Sequence, residues 1–388
     1  MLMGKIPNGE NSNGRKFGLR SVTLITVVLF SLVGILRAET ALAGGFAGGT
    51  GSSGDPYQIS TCTQLQDMQG YLSSYFVLTG DIDCSATSGW NGGTGFIPVG
   101  SSVSVPFTGG FNGGNFTISG LYINRPTTDN VGLFGYVMAS ISHYIRNFKL
   151  SDVTIIGQDY TGPLAGTFRS MTGQNVSVIG TSSVSGRQYT GGLVGYQYDG
   201  ITWNSSSNST VVGSSSYTGG LMGCSMNSSY IYNSYATGAV SGTSYVGGLV
   251  GYLYYGGYYY SYATGSVTGS GTYVGGFAGN DYYGSVYYSY ATGAVSGSSS
   301  YGGLIGSSNA TLVGNYWDVY RTGMASCYYG GNSGCIGKNS GNSEPDYWFN
   351  TPSSPPMNAW NFNGLWKTSP ADYPTHNSPA VYETAPIL

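Results

Sequence analysis

Residues 260–279 read YSYATGSVTGSGTYVGGFAG, and close copies of this stretch lie on both sides of it. Residues 233–251 read NSYATGAVSGTSYVGGLVG, and residues 288–306 read YSYATGAVSGSSSYGGLIG. None of the three stretches contains an acidic side chain, a basic side chain or a cysteine. Near-identical segments that follow one another are typical of a repeat architecture, in which each copy is one structural unit.

A tyrosine before each glycine motif sets the period of the repeat. Its six positions are separated by 29, 28, 28, 28 and 28 residues, and they are Tyr160, Tyr189, Tyr217, Tyr245, Tyr273 and Tyr301. The last copy is one residue shorter after its tyrosine than the others. A degenerate earlier copy, VGLFG, occupies residues 131–135. Seven units therefore follow one another along the chain.

The pattern inside each unit predicts β-strands. Short alternating segments are separated by glycine pairs and Ser-Gly turns, and no apolar stripe has the 3.6-residue period of a helix. A unit of 28 residues with two or three strands suits one coil of a parallel, right-handed β-helix solenoid. We therefore predict an all-β fold of about seven coils, stacked about 4.8 Å apart. A β-propeller fits less well, because its blades need roughly 40 residues or more.

Stacking also explains the shortage of charge. In a β-helix each residue lies above and below its own copies, so like charges at a repeated position would repel along a column. The small residues Ala236 and Val240 are expected to point inward, and Tyr235 and Thr237 outward. An apolar column is expected inside the solenoid, formed by Leu164, Leu193, Leu221, Leu249, Phe277 and Leu304.

The GGLVG endings, the SYATG starts and the Y[TV]GG segments between them resemble the GLUG-motif repeats of exported bacterial and archaeal surface proteins. Residues 55–68, 75–84 and 107–123 resemble the opening section of such domains, and residues 314–323 and 360–366 resemble the closing section. The resemblance implies a β-helix scaffold and an adhesin-like surface protein. Its support for a particular function is weak, because the same repeat occurs beside very different activities.

The amino-terminal residues predict export. A polar segment with four basic residues precedes an uncharged apolar run at residues 21–36, and an A-x-A cleavage pattern follows at residues 41–43. We predict a signal peptide at residues 1–43 and a secreted or cell-surface location, with no membrane span in the mature chain. An uncleaved signal anchor remains the alternative, because the length of the apolar run fits both.

The remainder of the chain divides into four predicted regions. Residues 44–125 form an amino-terminal cap with the first coil, and residues 126–313 form the repeats. Residues 314–374 form a carboxyl-terminal cap, and residues 375–388 a loose tail. Caps are expected because the open ends of a solenoid expose unpaired strand edges. Within the first cap, Thr61 and Gln64 fit a capping box at the start of a short helix.

Five cysteines would lie in an oxidising compartment after export. The pairings between near neighbours are Cys62 with Cys84 and Cys327 with Cys335, and they leave Cys224 over. Other connectivities remain open, because five cysteines allow several arrangements of two bridges.

Charge and motif content argue against several classes of function. The formal net charge is −3, and Asp199 and Asp281 are the charged residues between Arg187 and Asp318, so the basic face of a nucleic-acid-binding protein is missing. The H-E-x-x-H motif of zinc peptidases and the G-x-S-x-G motif of hydrolases are absent from the sequence. We therefore predict no enzymatic activity, no metal site and no cofactor.

Two weaker candidates for chemistry remain. One charged cluster lies in the degenerate first coil, and it consists of His143, Arg146, Lys149, Asp152 and Asp159. It keeps open an alternative function as a polysaccharide lyase or glycoside hydrolase, since β-helices host both classes and both need carboxylates. Asp81 and Asp83 could supply oxygen ligands to calcium, but calcium sites usually contain more acids than two.

The outer surface is the preferred functional candidate. Tyrosines beside threonines offer flat apolar faces with hydroxyl groups, which suit glycans or the surface proteins of a host or neighbouring cell. The predicted binding face consists of Tyr235, Thr237, Tyr262, Thr264, Tyr290 and Thr292. Two alternatives stand beside it. The stacked tyrosines could serve only to stabilise neighbouring coils, and the threonine column could bind ice, although it lacks T-x-T ranks.

Overall fold

The computed structural model describes residues 45–338, 357–369 and 372–377. The predicted signal peptide at residues 1–43 lies outside the described residues, as does most of the predicted tail. The part from Phe46 onward belongs to one compact unit. It is an all-β chain whose parallel strands stack into a β-solenoid of about seven turns, which confirms the predicted fold class.

Three parallel sheets form the walls of the solenoid. Within the described residues the large sheet has 23 strands, the second sheet seven and the third five. The strands of the large sheet are Tyr57–Ile59, Tyr75–Leu78, Ile82–Asp83, Gly110–Asn112, Thr117–Ser119, Phe134–Met138, Tyr144–Ser151, Ala165–Arg169, Thr172–Ile179, Val194–Tyr198, Ile201–Trp203, Ser206–Ser207, Met222–Tyr232, Tyr235–Ala236, Val250–Tyr259, Tyr262–Ala263, Ala278–Tyr282, Ser285–Tyr287, Tyr290–Ala291, Ile305–Ser308, Thr311–Val313, Asn315–Asp318 and Cys335–Lys338.

The two smaller sheets close each coil. The seven-stranded sheet consists of Tyr122–Asn124, Thr154–Ile156, Ser183–Gly186, Thr210–Gly213, Val240–Gly242, Val267–Gly269 and Val295–Ser296. The five-stranded sheet consists of Thr190–Gly191, Ser216–Gly219, Ser244–Gly247, Thr272–Gly275 and Ser299–Gly302. Helical elements are short, and they are the α-helices Cys62–Asp67 and Val319–Thr322 and the 3₁₀ segments Met68–Gly70, Ser85–Gly93 and Met357–Ala359.

The register of the sheets follows the repeat of the sequence. Val250 pairs with Ala278, and Tyr262 pairs with Tyr290, so equivalent positions of successive copies lie one above the other. The predicted inward column is fully buried, with each of its six members at most 1% exposed. A Cβ on Gly248 would lie 2.1 Å from the carbonyl oxygen of Gly276 in the next coil, so the glycine pair permits the close approach of neighbouring backbones.

The last tyrosine of the repeat occupies a different position from the one predicted. Tyr301 pairs with Val274, and the residue aligned with Tyr273 is Ser300. Tyr273 and Ser300 also share a left-handed backbone, with φ of 63° and 52°. The last copy is therefore one residue shorter before its tyrosine rather than after it, so Tyr301 falls outside the tyrosine column.

The amino-terminal cap contains the predicted helix and a disulfide. The hydroxyl of Thr61 accepts a hydrogen bond from the backbone N–H of Gln64 (3.2 Å), and the Gln64 side chain accepts one from the N–H of Ser60 (2.7 Å). The side chain thus reaches one residue further back than a standard capping box requires. Cys62 is bonded to Cys84 and Cys327 to Cys335, which are the two pairings between near neighbours among those that the sequence left open.

The carboxyl-terminal residues form an antiparallel hairpin. Its strands are Trp366–Ser369 and Asp372–His376. The second strand continues past residue 374, so the first residues of the predicted tail belong to ordered structure. The name C-terminal cover is used below for the described residues 357–369 and 372–377.

Candidate binding surface

Five tyrosines at equivalent positions of successive coils form a continuous ladder along the solenoid. Successive rings are separated by 4.7–4.9 Å between centroids, and each residue has a left-handed backbone, with φ between 51° and 68°. The ladder consists of Tyr160, Tyr189, Tyr217, Tyr245 and Tyr273. Such a backbone costs a non-glycine residue roughly 1–3 kcal/mol. Stacking between neighbouring coils offsets part of that cost, so the ladder has a structural role.

The predicted binding face is largely covered by the chain itself. Its tyrosines do stack, with ring centroids 4.7 Å apart between Tyr235 and Tyr262 and 5.0 Å apart between Tyr262 and Tyr290. However, Tyr262 is 5% exposed, Tyr290 1% and Thr292 5%. Tyr235 and Thr264 are half-buried, and Thr237 alone is exposed. A buried ring cannot contact a ligand, so this prediction of an open face needs correction.

The C-terminal cover is responsible for this burial. The rings of Trp366 and Tyr373 lie 6.0 and 6.1 Å from that of Tyr290. The Tyr290 hydroxyl donates a hydrogen bond to the carbonyl oxygen of Pro374 (2.6 Å). At the end of the hairpin, the imidazole of His376 lies 4.7 Å from the Trp366 ring and 2.6 Å from the carbonyl oxygen of Tyr260. The cover therefore packs as an aromatic layer over the stacked tyrosines of the predicted binding face.

A different group of tyrosines is open to solvent. Tyr255, Tyr282 and Tyr283 are 48%, 39% and 51% exposed, and Tyr254 beside them is half-buried. Within each coil the two rings meet edge to face, with centroids 4.6 Å apart in the first pair and 4.4 Å in the second. Between coils they stack at 5.8 and 5.4 Å. These four residues are called the tyrosine patch below.

Two residues of the tyrosine patch have an unusual backbone. Tyr255 has φ of 48° inside the strand Val250–Tyr259, and Tyr283, with φ of 59°, directly follows the strand Ala278–Tyr282. At the equivalent position of earlier coils, the left-handed residues are Ser170, Asp199 and Asn227. Asparagine and aspartate tolerate this conformation well, whereas a bulky aromatic residue does so rarely. The sequence signal for the patch is Tyr-Tyr-Gly, which occurs at residues 254–256 and 282–284 and lies outside the motifs that define the repeat.

The residues of the charged cluster make local contacts with different partners. Arg187 forms an ion pair with Asp159, and its Nε lies 2.8 Å from the Asp159 carboxylate. His143 stacks on Tyr75 with ring centroids 5.8 Å apart, and Arg146 lies 5.2 Å from the Tyr144 ring. The cluster is thus divided among separate local contacts.

Asp152 is used as a turn residue. Its carboxylate accepts hydrogen bonds from the Ser151 hydroxyl (2.6 Å) and the Thr181 backbone N–H (2.8 Å). These bonds, the one from Ser151 foremost, lower the pKa of the Asp152 carboxyl. A general acid needs a raised pKa, so the environment of Asp152 suits a structural role.

The acidic pair of the cap is likewise engaged by the backbone. Asp81 accepts a hydrogen bond from the N–H of Thr117, and Asp83 accepts one from the N–H of Ser85, both at 2.8 Å. Among the described residues, no group of three or more His, Cys, Asp or Glu side chains is placed to hold a metal ion.

Asp281 and Cys224 are ionisable side chains buried inside the described part of the solenoid. Asp281 is fully buried, and burial raises the pKa of its carboxyl to about 8. One of its oxygens accepts a hydrogen bond from the Gly284 N–H (3.0 Å), and the other has no partner among the described residues. Cys224 is a buried free thiol, and burial raises its pKa well above the ordinary value. Neither group is accessible to a ligand from the surface.

The repeats match a known family model and parts of two known proteins. The family model described as the GLUG motif matches residues 270–296, which confirms the resemblance noted in the sequence. Halomucin of Haloquadratum walsbyi is 37% identical over 171 residues, which are 43% of this chain and 2% of Halomucin. A proposed Gly-rich membrane protein of Evansella cellulosilytica is 38% identical over 143 residues, which are 36% of this chain and 15% of that protein. The chain thus spans a small fraction of the length of these relatives.

A solved structure resembles the chain more loosely. The crystal structure of a proposed immunoglobulin A1 protease from Bacteroides ovatus is 20% identical, with a TM-score of 0.49, and the match covers 86% of this chain and 95% of that one.

In the described part of this chain, no helix is long and apolar enough to cross a membrane.

Proposed function

We propose that this GLUG-motif chain is an exported, non-enzymatic surface or secreted protein, adhesin-like, which attaches to glycans or to proteins on other cells. The solenoid is the scaffold, and its exposed tyrosines make the contacts. The predicted signal peptide supports export, and the names of the relatives, Halomucin and a membrane protein, are consistent with a cell-surface location.

One observation carries the proposal. The tyrosine patch exposes aromatic rings with hydroxyl groups on a section of the solenoid that is nearly free of charge. Of the two charged residues between Arg187 and Asp318, Asp281 is buried and Asp199 is half-buried. Tyrosine supplies a large and rigid contact area at low cost in conformational entropy, which is why binding surfaces use it.

A binding array tests the proposal. The chain from residue 44 onward would be applied to immobilised glycans and matrix proteins, and the same glycans would be assayed in solution for new reducing ends and unsaturated products. We expect retention on at least one class of surface without product formation. Failure to bind any surface would refute the proposal, as would product formation that disappears in the Asp152→Asn variant.

A further inference from the structure

The tyrosine patch differs from the other aromatic columns in being open to solvent. The ladder of five tyrosines is half-buried, and Tyr262, Tyr290 and Tyr316 lie beneath the C-terminal cover. In the patch, by contrast, two pairs of rings project from successive coils. Their edge-to-face contacts within each coil and stacking between coils hold the four rings in a fixed arrangement.

The backbone of the patch indicates that stability alone does not account for these residues. Tyr255 and Tyr283 occupy a left-handed position where Asn227 and Asp199 stand in other coils. Asparagine would adopt this backbone at lower cost. The ladder tyrosines share this backbone but are half-buried, whereas Tyr255 and Tyr283 are 48% and 51% exposed. Left-handed tyrosines that stay open to solvent in two consecutive coils therefore point to a contact surface.

The charges around the patch restrict what it can bind. Anionic polysaccharides and nucleic acids require cationic side chains, and the sequence contains no Lys or Arg between Arg187 and Arg321.

The exposed area of the patch argues against a protein partner. Four tyrosines of about 150–250 Å² each, at most half exposed, fall short of the roughly 800 Å² that a standard protein interface buries on each side.

We infer that the tyrosine patch, formed by Tyr254, Tyr255, Tyr282 and Tyr283, is the contact site for a neutral polysaccharide. The apolar faces of sugar rings lie on the tyrosine rings, and the tyrosine hydroxyls bond to sugar hydroxyls. This inference rests on the proposed attachment function and gives it a location and a ligand class.

Substitution of the two strained tyrosines tests the inference. In the variant with Tyr255→Asn and Tyr283→Asn, the turn receives the residue that another coil already uses, so the fold should keep or gain stability. The matched control is Tyr329→Asn, because Tyr329 is 66% exposed but lies outside the patch. Binding would be measured by affinity electrophoresis in gels containing neutral polysaccharides (xylan, hydroxyethyl cellulose, β-1,3-glucan) or anionic ones (alginate, polygalacturonate).

We expect the chain to be retarded by at least one neutral polysaccharide, with about a tenfold loss of affinity in the double variant, equivalent to about 1.4 kcal/mol, and no loss in the control. Equal binding by the double variant would overturn the inference while leaving attachment by another surface intact. Retention by anionic polysaccharides or by matrix proteins alone would overturn it in the same way. Binding to none of the tested surfaces would overturn the attachment function as well.

Discussion

At the scale of single residues, a buried serine connects each coil to the previous one. The hydroxyl of Ser234 accepts a hydrogen bond from the backbone N–H of Ser205 (3.2 Å) and donates one to the carbonyl oxygen of Tyr232 (2.7 Å). Ser261 and Ser289 repeat the arrangement, and Asn315 ends the series. The serine before each YAT segment thus satisfies backbone groups inside the solenoid, where water cannot.

Removal of one of these hydroxyls should destabilise the chain. In Ser234→Ala the N–H of Ser205 stays buried without its partner, which costs about 1–3 kcal/mol. Ser266→Ala is the control, because Ser266 is exposed in the next coil, and we expect it to change stability by less than about 0.5 kcal/mol. Urea denaturation measures both. Equal midpoints for the two variants would contradict a bridging role for the serine.

The buried carboxyl of Asp281 should make stability depend on pH. Burial raises its pKa to about 8 from the ordinary value of 3.8. Between these values the folded chain holds a proton that the unfolded chain has released, so rising pH favours unfolding across this window. We expect Asp281→Asn to increase stability at pH 8 by a few kcal/mol and to change it much less at pH 4. A difference from the wild type that is the same at both pH values would contradict this account.

At the scale of elements, the C-terminal cover holds a histidine in its neutral form. Burial lowers the pKa of His376 to about 4 from its ordinary value of 6.5. The stabilisation that neutral His376 provides is therefore complete above pH 6.5 and is lost as the pH falls from 6.5 to 4. Tyr262 and Trp366 pack against the imidazole, so protonation should loosen the hairpin.

Tryptophan fluorescence can follow this loosening, since Trp360 and Trp366 are 5% and 0% exposed. We expect their emission to shift to longer wavelength as the pH is lowered from 6.5 to 4, because water reaches the rings. The His376→Gln variant provides the control, since glutamine does not titrate in this range. A shift of the same size in the variant would assign the transition to other groups.

The elements also show how far the sequence could predict the structure. The 28-residue spacing predicted the stacked coils, and the alternation of small and large residues predicted the inward leucine column. Those features depend on residues close together in the chain or at equal positions of the repeat. The contact of Trp366 with Tyr262 joins residues that are about a hundred positions apart and share no periodicity, so the burial of the predicted face could not be anticipated.

The tyrosine patch was missed for a related reason. Tyr255 and Tyr283 occupy a position of the large sheet where the residue type varies from coil to coil, and sequence alone does not report a left-handed backbone at a tyrosine. Tyr301 was placed one position away from where it lies, because one residue was missing from the last copy and the sequence did not show on which side of the tyrosine.

At the scale of the whole molecule, equivalent coils should be removable. Tyr189 and Tyr217 are followed by the similar segments TGGLVG and TGGLMG, so deletion of residues 190–217 joins one coil to the next in register. Contacts in a repeat protein are made between neighbours, and we expect a folded chain whose solenoid is shorter by about 4.8 Å. Circular dichroism and small-angle scattering would show this. Deletion of residues 190–203, half a coil, should abolish folding, and tolerance of both deletions would contradict the assigned repeat.

In the coils between Arg187 and Asp318, the near absence of exposed charge connects fold and function. Stacked coils disfavour charge because each position lies against its own copies, and the surface of these coils offers rings, hydroxyls and backbone groups for binding. Attachment by such a surface should not depend on ionic strength, because salt screens charge interactions and leaves apolar and hydrogen-bonded contacts in place.

Adsorption of the chain to an insoluble neutral polysaccharide between 0.05 and 1 M NaCl tests most directly whether attachment is independent of ionic strength. We expect saturable binding whose dissociation constant changes by less than about twofold across that range. Binding that weakens tenfold or more with salt, or no binding at any salt concentration, would contradict it.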